Sequence, residues 1–472
     1  MPELIKLFNT KTHQKELFRP KNSKVKLYTC GPTVYDYAHI GNLRTYVFED
    51  LLKRTLLFLG YEVHHVMNLT DVDDKTIRGA INKKISLNEF TQTYKDAFFE
   101  DLEALQILGA DQYPCATDHI EEMIEMIETL LDKKIAYEGS DKSIYFSIEK
   151  FPKYGKLSHL NLEDLKSGGS NRVSNDEYDK ENVTDFVLWK SYDEKRDGAI
   201  YWDSPFGKGR PGWHIECSAM AMKYLGETLD IHMGGVDNIF PHHENEIAQS
   251  ECFSCKPFCP MWVHVEHLIV EGKKMSKSAG NFYTLRNLFE KGYKGSQVRY
   301  MLLQTHYKTQ LNFTFEGLKG AGLSLDRIQN FISRLQQIEQ EEKSYLRINE
   351  LIEFCKIKFK DALFDDINIS VCLSVIFDLI REVNAEIDKD SFCKSNAEKI
   401  LSLLKHFNEV LGLLSFETVD DTPEELKDAL EKRKIARSEK NWPEADRLRD
   451  FILDKGYIIE DSPKGAFLKK KN

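Results

Sequence analysis

The stretch from Lys24 to Leu69 constrains this chain most. Lys24 to Cys30 (KVKLYTC) alternates like a buried strand and runs into the turn Gly31-Pro32. After His39-Ile40-Gly41-Asn42, the residues Leu43, Val47 and Leu51 recur at four-residue spacing, the pattern of a helix with one apolar face, and Gly60 ends it. Tyr61 to Leu69 (YEVHHVMNL) then reads as a second strand. Strand, helix and strand within about forty-five residues make a βαβ unit, which requires a parallel sheet with covered faces. No G-x-G-x-x-G occupies the first turn, so a dinucleotide site of that type is not expected.

The rest of the chain changes character twice. Asn88 to Leu108 and His119 to Lys134 read as helices, and Lys166 to Lys180 (KSGGSNRVSNDEYDK) as an exposed loop within an insertion. Asp230 to Met233 reads as a short strand entering Gly234-Gly235, and Val263 to Val270 as another. From about Leu285 onward long amphipathic helices take over with almost no strand signal, for example Leu323 to Ile338 and Ala397 to Leu414. Glu417 to Pro423 (ETVDDTP) reads as a linker to a small tail. A chain of 472 residues divided this way is expected to hold several domains.

Composition narrows the setting. No run of eighteen apolar residues is present, and Met1 to Pro20 has no apolar stretch before a cleavage site. Nine cysteines, an odd number spread unevenly, fit a reducing compartment better than a disulfide framework. The expectation is a cytoplasmic protein. A formal net charge of −11 argues mildly against nucleic acid, but Lys427 to the end holds thirteen Lys/Arg against nine Asp/Glu. An RNA-binding face, if present, is therefore confined.

Two short elements suit a triphosphate. His39-Ile40-Gly41-Asn42 opens the first helix, where free backbone N–H groups and partial positive charge favour a phosphate, Gly41 permits close approach and His39 can donate. Lys274-Met275-Ser276-Lys277-Ser278, followed by Ala279-Gly280-Asn281, places two lysines and two hydroxyls beside glycine. Alone, each reads as an ordinary helix start and a solvated basic loop. Together they resemble the HIGH and KMSKS motifs of class I aminoacyl-tRNA synthetases; the second matches in full, and the first departs where Asn42 replaces His. An amide still offers a donor there. The resemblance implies in-line attack of a carboxylate on the α-phosphate of ATP. His39 and Lys277 would be the catalytic groups, Gly41, Asn42 and Lys274 further ATP contacts, and Mg²⁺ an assistant.

A second set of residues suits a metal. Cys30 ends the first strand, Cys217 lies in Arg210 to Cys217 (RPGWHIEC), and His242 and Glu246 lie four apart in Pro241 to Glu246 (PHHENE), on one face of a helix. Two thiolates, an imidazole and a carboxylate are acceptable tetrahedral Zn²⁺ ligands, with His243 and Glu244 as alternative donors. The segments Cys30 to Asp36 (CGPTVYD), Asn68 to Lys75 (NLTDVDDK), Gly207 to Met220 (GKGRPGWHIECSAM) and Gly234 to Gln249 (GGVDNIFPHHENEIAQ) closely resemble the cysteinyl-tRNA synthetase family over essentially the whole chain. That resemblance puts one zinc on Cys30, Cys217, His242 and Glu246, and lines the cysteine pocket with Thr70, Trp213 and His232. Zinc takes a thiolate far better than a serine hydroxyl, so cysteine and serine can be separated without an editing site, and no editing domain is identified.

The resemblance also implies an architecture: a Rossmann-like parallel-sheet catalytic domain (1–118 and 201–310) split by an insertion (119–200), then a helical bundle (311–416) and a small anticodon-binding domain (424–472). L-cysteine, ATP and tRNA(Cys) are the implied partners of a monomer. In the tail, Arg437, Trp442 and Asp446 combine cation, aromatic and hydrogen-bonding groups suited to loop bases; the competing reading packs Trp442 in a small core. Cys252, Cys255 and Cys259 (C-x₂-C-x₃-C) lack a matching pair and read as reduced thiols rather than a second metal site. The rival functions are a mycothiol-type cysteine ligase, which would not need the C-terminal third, and a non-catalytic RNA-binding paralogue, which would not need His39, Lys277 and the metal residues.

Overall fold

The structure, a computed structural model, describes residues 4–20, 22, 24–160, 185–277, 279–341, 345–416, 423–462 and 465–470. The loop expected at Lys166 to Lys180, Ser278 of the basic loop, and residues 417–422 of the linker lie outside the described residues. Two compact units divide the chain, Met1–Leu414 and Ser415–Asn472.

In the first unit the βαβ unit forms as its pattern requires. Strands Lys24–Thr29 and Glu62–Met67 pair in parallel, joined by the helix Ile40–Phe58. Leu43, Val47 and Leu51 are fully buried, so the four-residue spacing marks the face turned to the core. Ile231–Gly235 and Met261–Val265 extend the sheet, also in parallel, giving the spatial order Met261–Val265, Ile231–Gly235, Lys24–Thr29, Glu62–Met67. The single strand expected over Val263 to Val270 is two, Met261–Val265 and Leu268–Val270. The second turns away to pair with Lys273–Lys274 and with Leu311–Phe313, a strand inside the region read as helical.

The chain between the two halves builds a four-stranded antiparallel sheet, Ala136–Glu138, Ile144–Phe146, Phe186–Ser191 and Gly209–Pro211, paired in sequence order. Its last strand delivers the chain directly into the helix Trp213–Leu225. That helix and Glu244–Ser254 pack together, and Ile120–Asp132 packs on both. Large apolar groups, including Trp189, Trp262, Phe146 and Phe258, fill the space between.

Four long helices, Phe315–Gln336, Ile348–Phe364, Ile369–Asp388 and Lys394–Leu411, complete the first unit. A buried ion pair stitches them to the sheet domain. Arg299 is fully buried and bonds Asp50 of the helix Ile40–Phe58, the carbonyl of Leu411 at 2.9 Å and that of Leu105 at 3.0 Å. A buried pair is tolerable only when its remaining donors are met, and here helix-end carbonyls meet them. The second unit is a helical hairpin, Glu424–Ser438 and Trp442–Asp454, followed by the antiparallel strands Tyr457–Ser462 and Gly465–Lys470. Its core is Leu426, Ala429, Leu448, Ile452 and Tyr457. Among the described residues no helix is long and apolar enough to cross a membrane.

Candidate active site

The sequence-predicted groups of the first unit gather at the carboxyl ends of the parallel strands, where such sheets bind ligands. Cys30 directly follows the strand Lys24–Thr29, and Thr70 lies three residues beyond Met67. The segment between Cys30 and Asp36 is pinned to Thr70: Thr70 N–H donates to Pro32 O at 3.1 Å and Val34 N–H to Thr70 O at 3.0 Å. Gly31 is required there, because a Cβ would lie 1.8 Å from the Asn68 carbonyl oxygen.

Cys30, His242, His243 and Glu246 are buried, and their donor atoms lie within 4.8 Å of one another. His242 Nε2 is 3.1 Å and Cys30 Sγ 3.9 Å from Glu246 Oε1, while His243 Nε2 is 3.3 Å from Cys30 Sγ. The i,i+4 reading of His242 and Glu246 survives although residues Ile239–His243 form a π-turn with an extended Phe240. Cys217 stands beside Cys30 and Tyr28 but outside this tightest group; His243 takes the fourth place. Glu244, the other alternative donor, is committed elsewhere, accepting from the backbone N–H groups of Gly155, Leu157 and Ser158.

Further histidines surround these donors; His232 and His243 were named from the sequence, whereas His214 and His264 were missed. His243 Nδ1 pairs with His264 Nε2 at 2.8 Å, and His264 Nδ1 with Thr10 Oγ1 at 2.7 Å. His242 Nδ1 lies 2.9 Å from His214 Nδ1, and His232 Nε2 lies 2.9 Å from Glu246 Oε2. Thr10, in the turn after Lys6–Asn9, and His264, in the strand Met261–Val265, lie far apart in the chain, so spacing carried no signal for them. Trp213 stacks on His242 with ring centroids 4.2 Å apart, and His232 stacks on Trp262 at 4.5 Å.

The electrostatics fit a cation. Burial, and then neighbouring histidines, push His242 and His243 well below the ordinary imidazole range, and burial holds His214 and His264 at about 3. Burial also pushes the Cys30 and Cys217 thiols up. Imidazoles kept neutral by burial at His242 and His243, thiols in a dry site and the Glu246 carboxyl oxygens, which His232, His242 and His243 face, form a donor set without a counter-charge. A thiophilic divalent cation supplies one and lowers the thiol pKa. Among the described residues, Cys252, Cys255 and Cys259 form no such group; Cys259 donates to Met261 O, and Lys133 lies 3.5 Å from Cys255 Sγ.

The two elements expected from the sequence to handle phosphate meet each other. His39 caps the helix Ile40–Phe58: its Nδ1 accepts from Asn42 N–H at 3.1 Å, and the Asn42 Oδ1 accepts from His39 N–H at 3.2 Å. Asn42, at the departure from the family pattern, thus closes a capping box. Burial, opposed by Asp237, lowers the His39 pKa, so the ring is neutral at pH 7. Its Nδ1 already accepts, which places the proton on Nε2 as a donor.

The basic loop rests on this helix start. A Cβ on Gly41 would meet Met275 Cε at 3.2 Å, His39 meets Phe282 edge-on with ring centroids 5.0 Å apart, and Ile40 N–H donates to Tyr283 O at 2.9 Å. Lys277 lies 5.1 Å from the Phe282 ring centroid and pairs with Asp36. Lys274 is exposed, its carbonyl accepting from Asn281 Nδ2 at 3.1 Å.

Comparison with known proteins shows which family the chain matches. The family model of the tRNA synthetases class I (C) catalytic domain matches residues 17–322, and that of the DALR domain matches residues 358–415. The cysteine–tRNA ligase of Protochlamydia amoebophila (strain UWE25) is 59% identical over 99% of this chain and 98% of its own length. That of Chlamydia felis (strain Fe/C-56) is 58% identical over 98% and 97%. The chain belongs to the cysteine–tRNA ligase family of class I tRNA synthetases.

More distant solved structures share the fold alone. The methionyl-tRNA synthetase of Mycobacterium tuberculosis, in complex with methionyl-adenylate, aligns with a TM-score of 0.59 at 14% identity over 83% of this chain and 90% of that one. A putative arginyl-tRNA synthetase from Campylobacter jejuni aligns at 0.55, with 13% identity over 83% and 92%. Within this family's α/β, sheet-plus-helices architecture, the second unit carries the remaining sequence-predicted groups. Trp442 is 56% exposed at the start of its helix, not packed in the core, with Arg437 exposed near the end of the preceding helix. Asp446, also exposed, pairs with Arg449 at 3.2 Å.

Proposed function

We propose that this chain is a zinc-dependent cysteine–tRNA ligase, activating L-cysteine with ATP and transferring it to the terminal adenosine of tRNA(Cys). One observation supports the reading: a buried Cys/His/Glu donor set and a capped helix start lie at opposite ends of the short segment from Cys30 to His39. Cys30, Cys217, His242 and Glu246 would hold the metal, with the His243 Nε2–H supporting the Cys30 thiolate. Bound zinc supplies a soft centre that takes a substrate thiolate in preference to a hydroxyl.

The chain's own residues do the rest by positioning and charge. Thr70, Trp213 and His232 shape the cysteine pocket. The backbone N–H at Gly41 and the Nε2–H of His39 face the triphosphate, and Lys274 and Lys277 approach it from the loop. The cysteine carboxylate, already ionised at neutral pH, attacks the α-phosphorus; the bond to the bridging oxygen breaks and Mg-pyrophosphate leaves. The ribose hydroxyl of the tRNA end then attacks the acyl carbon and AMP departs. Arg437, Trp442 and Asp446 would read the anticodon, since exposed aromatics beside cations suit unstacked bases. The protein is proposed to work as a cytoplasmic monomer.

The deciding experiment is amino-acid-dependent ATP–pyrophosphate exchange with cysteine or serine, before and after chelation. Cysteine-dependent exchange lost on chelation is the expected result; equal exchange with serine rejects the selectivity account.

A further inference from the structure

The ion pair between Lys277 and Asp36 has no role in the chemistry above, yet it ties the basic loop to the segment between Cys30 and His39. Lys277 is the loop cation that must reach the triphosphate. Its side chain is 61% exposed, against 32% for Asp36. Asp36 is well anchored: its Oδ1 accepts from Tyr37 N–H at 2.8 Å, and its segment is tied to Thr70 by the two backbone hydrogen bonds already described. His39 feels both partners, Asp36 and Lys277, so all three groups share one small volume. Lys277 also rests on the Phe282 ring, which meets His39 edge-on.

Simple electrostatics gives this pair a consequence. A carboxylate in contact with a cation competes with any polyphosphate that needs the same cation, and it repels the incoming charge. The pair is exposed enough to be weak, so it can be exchanged without a large barrier. We infer that Asp36 is a positioning residue that parks Lys277 until the triphosphate of ATP takes the lysine over. The exchange moves the Lys277 ammonium from one anionic partner to another; no covalent bond changes. Because Cys30 begins the segment that ends at Asp36, the parked loop is registered to the cysteine pocket before ATP arrives.

The inference rests on the proposed activation of cysteine by ATP, and the test separates the two. Cysteine-dependent pyrophosphate exchange by the unaltered chain checks the activity itself; its absence removes the reading and this inference together. With that exchange present, D36N retains the Oδ1 acceptor for Tyr37 N–H but loses the charge. The expected result is an ATP KM lower by about two- to five-fold, with little change in kcat or in cysteine KM. D36E, which keeps the carboxylate, should restore the ordinary ATP KM. In a K277A background, D36N should leave ATP KM where K277A alone puts it. An ATP KM that rises or stays level in D36N, or a fall that persists without Lys277, overturns the assignment.

Discussion

The two ends of the active site are built on opposite plans. At the metal end, Cys30, Cys217, His242, His243 and Glu246 are each 8% exposed or less, and the histidines are held by further partners behind them. At the phosphate end, Lys274 and Lys277 stand in solvent, and Lys277 has one exposed ion pair and one ring contact. On the proposed roles, the contrast follows from what each end would do. Telling a thiol from a hydroxyl depends on donors fixed in place before substrate arrives, whereas pyrophosphate must leave at every turnover, so its contacts must be released cheaply. Burial makes the first end rigid and costly to alter; exposure makes the second adjustable.

The contrast breaks most readily at Cys217. If it is a ligand in a rigid cage, Cys217→Ser should raise cysteine KM by about 10³-fold, the equivalent of several kcal/mol of metal–thiolate interaction. Pyrophosphate exchange against cysteine concentration, with metal content measured alongside, checks this. A rise below about tenfold would make His243 the fourth donor and Cys217 a neighbour.

At the other end, Lys277→Ala should slow adenylate formation by about 10²- to 10³-fold, the typical cost of one charge-stabilising donor, while cysteine affinity changes little. Single-turnover rates measure the first, and cysteine-dependent protection against thermal unfolding the second. An unchanged rate would refute the lysine's role. A smaller effect sharpens the picture of the buried end: His264→Gln, which touches no substrate, should weaken metal affinity by about 10- to 100-fold through His243. Competition with a chromogenic chelator reports it, and an unaltered affinity would mean that the Thr10–His264–His243 chain merely packs.

How much of this was legible in the chain follows from the range of each interaction. Leu43, Val47 and Leu51 announced a core-facing helix because helical periodicity is local. His39 and Gly41 at a helix start, and Lys277 in a polar loop, were readable for the same reason. His242 with Glu246 was readable because four residues span one helical turn. Choosing between Cys217 and His243 was not, since either completes a soft donor set and only packing decides which thiol or ring approaches. Thr10 and His264 lie more than 250 residues apart, and Asp36 and Lys277 about 240 apart, so their pairings exist only once the chain has folded. The extra strand Leu311–Phe313 was hidden because three residues cannot establish a period.

The smallest expected effect concerns Asn42, and it tests whether the helix start belongs with the rigid end or the adjustable one. Its amide oxygen accepts from His39 N–H while its own backbone N–H donates to the His39 ring, so the pair fixes which imidazole nitrogen is left as a donor. Asn42→Ala keeps the backbone donor to His39 Nδ1 but removes the reciprocal bond, which should lower stability by about 1 kcal/mol in a denaturant titration. Adenylate formation should slow by less than about tenfold, because the His39 Nε2 proton stays in place. If the rate instead falls as far as in Lys277→Ala with stability intact, the amide is itself a nucleotide contact and the capping box incidental. The phosphate end would then depend on a further adjustable group, where the geometry gives it a fixed floor at the helix start and two exposed loop lysines, Lys274 and Lys277.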